Sequence, residues 1–235
     1  MKIIIDQRMV SRYGKIGKIL RWVSIGFLVI ALFAVFSPNI LTNPTMINVY
    51  FGVMIVGVFI SSIGNHLTSR YGRSPRPDEL LDKALKGLDD KYSIIHYELA
   101  IPHLLVGPSG IWSLIPTFVD GTISYDEKKK IWVRKGGSFL NRFLSREALG
   151  RPDKELIQNQ KDFDKFLKSN SIDKEMKIMC AVILLNKNTV ISEKTEEGNI
   201  LILPFEKAKD KFRKLAKSQI EIHPEILNLF NNLHH

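Results

Sequence analysis

The chain has 235 residues, 45% hydrophobic and 25% charged, an average that resembles a plain soluble domain. The distribution excludes that reading, because no Asp, Glu, Lys or Arg occurs from Trp22 to Ser69, a stretch far longer than a soluble core helix or strand. A net charge of +10 points to an anionic partner, nucleic acid or a membrane surface, while the single cysteine, Cys180, excludes an internal disulfide framework and a Cys-rich zinc site.

Residues 1–21 form a leader in which Lys2, Arg8, Arg12, Lys15, Lys18 and Arg21 face a single acid, Asp6. Two readings stand side by side: a segment lying on anionic headgroups, or residues that only enforce topology. A helical hairpin is predicted over 19–64, with apolar runs at 19–36 and 46–63. Ser37-Pro38-Asn39 and Asn43-Pro44-Thr45 supply the turn. No small-x-small cleavage site follows the first run and a second run comes at once, so a cleaved signal peptide is disfavoured.

Arg70, Arg73 and Arg76 follow the second run, and the connecting loop carries no Lys or Arg. The positive-inside rule then puts both termini in the cytoplasm, as a two-pass protein of the inner (plasma) membrane. Trp22 and Tyr50 stand where interfacial aromatics are favoured, and Gly57 with Ser61 gives a small-xxx-small spacing. Beyond Arg21 at the start of the first run, no Asp, Glu, Lys, Arg or His lies inside either run, which favours an anchor over a channel or transporter.

Residues 65–77 read as a linker, ending in Gly72-Arg73-Ser74-Pro75-Arg76-Pro77. An α+β domain is expected over 78–218, built round one central mixed sheet flanked by helices. It opens with a helix whose Leu80, Leu81, Ala84, Leu85 and Leu88 recur at helical spacing. Short strands follow at 92–99, 103–106, 111–115, 122–125 and 131–134, read as a meander. A helix is expected at 139–148 and a stronger one from Pro152, where Leu156, Gln160, Phe163 and Leu167 share a face. The near-continuous apolar runs 177–185 and 200–203 read as strands buried on both faces. A basic helix at 205–218 and a short helix at 224–233, within a tail at 219–235, close the chain. The apolar neighbours of Cys180 mark a buried, inert thiol.

The segment Ile101-Pro102-His103-Leu104-Leu105-Val106-Gly107-Pro108-Ser109-Gly110-Ile111-Trp112 resembles the central motif of the nuclease-related domain (NERD) family. In that family the segment reads Ile-Asp-His, a short apolar strand, Gly-Pro-x-Gly, and a second apolar strand ending in Glu-x-Lys. The early helix acid Glu79, Gly121, Trp132, Pro152, Gln158 and Gln160 fall in the family's order, so the resemblance spans about 78–215. It implies a restriction-endonuclease-like fold in which Asp, Glu and Lys at adjacent strand ends hold a divalent metal and activate water. Carried across, the Asp position is Pro102, the Glu position Ile115 and the Lys position Thr117. None of these side chains supplies a carboxylate or an amine. What remains of the motif is His103, Gly107, Pro108 and Gly110.

The resemblance therefore implies a scaffold without its metal site, not an enzyme in the family's sense and needing no cofactor. If the catalytic groups have migrated and Mg²⁺ is still used, Glu98, His103 and Asp120 are the candidates. Glu98 shares a strand face with His96 by period-two alternation, and His103 is close in sequence. Lys128, Lys129 and Lys130, Trp132 as a stacking platform, and Lys207, Lys211 and Lys214 are candidate nucleic-acid contacts. Three functions compete: a membrane-anchored, inactive binding or scaffold module whose partner is a protein or nucleic acid; an active nuclease with a relocated site; and a small integral-membrane subunit of a larger complex. No motif for a small-molecule substrate occurs. Residues 1–21 hold +5 of the net charge and Arg70, Arg73 and Arg76 another +3, so the excess is chiefly topogenic.

Overall fold

The structure, a computed structural model, describes residues 1–38, 42–137, 149–172, 175–192, 194–218 and 229–230. The chain forms two units, one comprising Met1–Ile5 with Asp78–His235 and the other Asp6–Pro77. The helical unit is thus inserted into the other near its N-terminal end.

In the inserted unit Asp6 caps α1 (Gln7–Val35), its carboxylate accepting from the Met9 N–H at 2.7 Å. Helix α2 (Pro44–Leu67) starts with proline in its first turn, behind an Asn43 cap that accepts from the Thr45 N–H. Both helices are long and apolar enough to cross a membrane, and most of their large apolar side chains are exposed. The 29 residues of α1 extend about 44 Å at 1.5 Å each, against about 30 Å of hydrocarbon. The helix begins well before the expected run because its polar leader carries a buried stripe of its own. Val10, Gly14, Gly17, Ser24 and Ala31 are buried at steps of three, four and seven residues.

The opposing seam on α2 is Gly57 and Gly64, seven apart, whereas Ser61 is only half-buried; the expected Gly57–Ser61 pair is replaced by this heptad spacing. A Cβ at Gly64 would stand 3.0 Å from the Arg21 backbone nitrogen, and one at Gly17 2.8 Å from that of Thr68. Gly57 faces Phe27 and Gly14 faces Tyr71, so the helices run antiparallel. A π-helical turn, Thr68–Gly72, ends the pair, so the linker expected over 65–77 is helical as far as Gly72 and only residues 73–76 remain as a connection before the helix that starts at Pro77.

The other unit is α+β. Its main sheet has seven strands in the order β1-β2-β3-β4-β7-β10-β9. These are β1 (Lys2–Ile5), β2 (Ser93–His96), β3 (His103–Gly107), β4 (Gly110–Thr117), β7 (Met179–Leu184), β9 (Glu196–Glu197) and β10 (Ile200–Pro204). Strands β2, β3 and β4 are antiparallel, while β4–β7, β7–β10 and β1–β2 are parallel. The expected meander divides. Strands β5 (Gly121–Asp126) and β6 (Ile131–Lys135) leave the main sheet and form a second one with β8 (Thr189–Ile191).

Helices α3 (Pro77–Leu85) and α5 (Ala208–Leu215) cover one face of the main sheet, where Leu81, Leu85, Ile94, Leu105, Trp112 and Phe212 are buried together. Helix α4 (Pro152–Ser169) covers the opposite face through Phe163 and Leu167, beside Ile95, Leu104 and Ile111. The second sheet lies over the same face as α4, with Ile123 and Trp132 against Cys180 and Val182. Strands β3 and β7 are buried on both faces, as their continuous apolar sequence requires. The expected helix at 139–148 lies outside the described residues, as does the expected C-terminal helix except for Leu229 and Phe230.

Strand β1 is an element that composition conceals. Its sequence Lys-Ile-Ile-Ile pairs in parallel with β2, Lys2 opposite Ser93 through Ile5 opposite His96. Ile4 is fully buried beside Ile95, Leu104 and Phe163. Replacing Ile4 with alanine should destabilise this unit by about 3 kcal/mol, from lost transfer energy plus the cavity. Chemical denaturation of the full chain in detergent reads this loss, and an unchanged unfolding midpoint would detach β1 from the unit.

Candidate functional site

Two groups of polar or motif residues lie near the ends of β2, β3 and β4, on opposite faces of the sheet. The first faces α3. Side chains alternate along a strand, so His96 shares the face of Ile94, and His103 that of Leu105. The register pairs His96 directly with His103, and their Nδ1 atoms are 2.8 Å apart, one donating and the other accepting. The His96 Nε2 lies 3.1 Å from the Asp82 carboxylate on α3. The Tyr97 hydroxyl donates to Asp78 at 3.4 Å, and the Tyr97 ring meets His103 edge-on at 4.9 Å. His96, His103, Tyr97 and Asp78 are all buried.

This carboxylate–imidazole–imidazole row satisfies polar groups that burial would otherwise penalise by about 1–3 kcal/mol each. The sequence marks Asp78 only as one of the acids that open the helix, beside Glu79, which is half-buried, and offers no role for Asp82. The available signal was their spacing, since Asp78 shares the buried face of Leu81 and Leu85 at i, i+3 and i+7.

The second group holds the three positions where the motif resemblance places metal-site residues. Ile115 and Thr117 share the face of Ile111 and so belong to the α4 side, while Pro102 directly precedes β3. The Pro102 carbonyl accepts from the Tyr97 N–H at 2.9 Å. Ile115 packs against Val119, Ile123, Trp132, Cys180 and Val182. Thr117 is buried; its Oγ1 accepts from the Val119 N–H at 3.4 Å and its carbonyl from the Leu185 N–H at 2.8 Å. Nearby, Asn159 on α4 donates to the Ser113 hydroxyl at 2.7 Å. Burial, with the Glu155 carboxylate adding to it, pushes the Cys180 thiol up to about 12.

The retained motif glycines have backbone and packing roles. Gly110 has φ of +102°, a region that glycine enters freely and other residues rarely. At Gly107 a Cβ would overlap the buried Tyr92 ring.

The candidates for a relocated site do not converge. Among the described residues, no group of three or more His, Cys, Asp or Glu is placed to hold a metal ion. Glu98 is not on the strand: β2 ends at His96 and Tyr97 takes φ of +63°, which breaks the alternation that would have aligned Glu98 with His96. Asp120 forms an ion pair with Arg134 of β6. His103 faces α3, away from the side that holds Ile115.

The basic candidates separate as well. Lys128, Lys129 and Lys130 are exposed at the β5–β6 tip, where the Asp126 carboxylate accepts from the Lys128 and Lys129 N–H groups. Trp132 is no stacking platform: it is buried, with Tyr125 edge-on at 5.2 Å. Lys207 and Lys214 are exposed on or beside α5, but Lys211 is paired with Glu196 at 3.1 Å. Because α5 and the second sheet cover opposite faces of the main sheet, the two lysine groups do not share a layer. Lys194 bridges Glu127 and Glu197 at 2.6 Å each and stands over the Tyr125 ring.

No family model matches the chain, and comparisons with curated proteins and with solved structures also return no match.

Proposed function

We propose that this protein is a membrane-anchored, catalytically inactive relative of the nuclease-related domain family, acting as a binding or scaffold module at the cytoplasmic face. The observation that carries the reading is the use of Pro102, Ile115 and Thr117 in packing and backbone hydrogen bonds, where the metal-site residues of such a nuclease would stand. Ile115 in particular packs among apolar side chains, and its own side chain offers no oxygen to a hard cation. The motif-bearing segment falls in an α3-β2-β3-β4-α4-β7 succession with β4 and β7 parallel neighbours, which keeps the helix, strand, helix, strand order read from the sequence.

The anchor is the α1–α2 pair. The pairing of β1 with β2 supports a same-side arrangement of both hairpin ends, since one sheet contains strands from before and after the hairpin. Basic residues flanking that hairpin assign the side to the cytoplasm. The separation of the two lysine groups favours a protein partner over a nucleic acid held along one continuous groove.

The test is incubation of the detergent-solubilised full chain with plasmid, single-stranded DNA and RNA in Mg²⁺ or Mn²⁺. No cleavage above the level of a mock preparation is expected. Cleavage that disappears on replacing Glu98 or Asp120 with alanine would overturn the reading in favour of a relocated nuclease.

A further inference from the structure

We propose that Lys15, Lys18 and Arg21, together with Trp22, form a headgroup site for acidic phospholipids on α1. This rests on the reading that α1 and α2 span a bilayer. Lys15, Lys18 and Trp22 follow one another at steps of three and four residues, so they stand in one row along the helix. The row runs beside the seam made by Val10, Gly14, Gly17 and Ser24, about 120° round the helix from its centre, while Arg21, four residues after Gly17 and seven after Gly14, lies along the seam with its side chain exposed. Lys15, Lys18, Arg21 and Trp22 are all exposed, Trp22 at 72%.

Charge and position select the ligand. The unit Asp6–Pro77 contains eight Lys and Arg and one carboxylate, Asp6, which is engaged in capping α1. The uncharged stretch begins at Trp22, an aromatic of the type that settles at headgroup depth. Along the axis Lys18 is about 6 Å and Lys15 about 10 Å from Trp22, at 1.5 Å per residue. Those offsets fit a headgroup layer of about 5–8 Å per leaflet, with side chains long enough to span the remainder. Arg12 and Arg8 lie about 15 and 21 Å out on the same helix, beyond that layer. A free nucleic acid would require no such register with the apolar boundary. Each basic side chain at a membrane surface favours an acidic lipid by about fivefold.

The experiment uses the full chain. Alkaline carbonate extraction of membranes comes first, with the protein expected to stay in the pellet. Native mass spectrometry of detergent-solubilised protein given equal phosphatidylglycerol and phosphatidylcholine should then show phosphatidylglycerol retained by at least about tenfold. Lys15→Gln, Lys18→Gln and Arg21→Gln combined should abolish the preference, and the charge-keeping set Lys15→Arg, Lys18→Arg and Arg21→Lys should preserve it. Glutamine at Lys128, Lys129 and Lys130 should leave it unchanged. Equal retention of both lipids by the wild type overturns the site, as does an undiminished preference in the triple glutamine variant. Displacement of the lipid by a single-stranded oligonucleotide reassigns the surface to nucleic acid and also overturns it. Release of the chain by carbonate overturns the anchor itself, whereas a pelleted chain without lipid preference removes the headgroup site alone.

Discussion

Alanine at Gly107 should destabilise the α+β unit by about 3 kcal/mol, at the upper end of what overpacking costs. An added Cβ would lie 2.7 Å from two carbons of the Tyr92 ring, too close for any real contact. The ring cannot yield cheaply. Tyr92 is 2% exposed, packs among Leu81, Leu85 and Ile94, and donates its hydroxyl to the Phe212 carbonyl at 3.1 Å. Moving it would disturb the layer between the main sheet and α5. Denaturant unfolding of the full chain measures the loss, and the double variant Gly107→Ala with Tyr92→Leu should recover part of it by removing the collision. A variant as stable as the wild type would mean that Gly107 does not serve the packing of Tyr92. The result bears on the proposed function because it would assign a glycine of the segment that resembles the nuclease-related motif to packing.

Leucine at Gly64 should separate α1 from α2 at a cost of about 2–3 kcal/mol, since the collision is with backbone and not with a flexible side-chain end. The Cβ alone would stand 3.0 Å from the Arg21 nitrogen and 3.1 Å from the Leu20 carbonyl carbon. On the reading that the pair spans a bilayer, no aqueous hydrophobic term holds the two helices together, and close backbone approach through small residues carries the association. A paired-cysteine readout follows from the geometry. Gly57 and Phe27 face each other with a Cβ separation of 3.3 Å, close to the range a disulfide needs, so Phe27→Cys with Gly57→Cys should cross-link readily under mild oxidation. Adding Gly64→Leu should reduce that yield severalfold, while leucine at the open position Gly52 should not. Native Cys180 is buried and does not compete. Undiminished cross-linking in the Gly64→Leu background would remove the glycine seam as the basis of the pair.

Local pattern made much of the architecture legible. The period-3.6 stripe of α4 appears as Phe163 and Leu167 buried in the core, with Leu156 packed against it. The unbroken apolar run through Cys180 became β7, buried on both faces, because a strand covered on each side selects apolar residues at every position. Apolar run length likewise located both long helices, although α1 proved longer because the seam continues beneath the basic leader. Other features were illegible for physical reasons. Strand β1 is four residues long and its partner β2 lies some ninety residues away, so no local period marks it. The departure of β5 and β6 from the main sheet depends on β8, again distant in sequence. The backbone turn at Tyr97, which removes Glu98 from the strand, is a left-handed conformation that side-chain pattern does not encode.

Residue type and spacing alone establish the charge-free hairpin with its basic flanks, the chain order of most helices and strands, and the lack of carboxylate and amine side chains at Pro102, Ile115 and Thr117. It took the packed fold to show that His96 and His103 face α3 while Ile115 lies on the side of α4, that Trp132 and Lys211 are already occupied, and that the two lysine groups lie in different layers. The same fold also shows that residues before the hairpin complete the sheet formed after it. Those outcomes depend on strand register and on which helix covers which face. Both are set by contacts between residues far apart in the chain, and hydrophobic period cannot specify them.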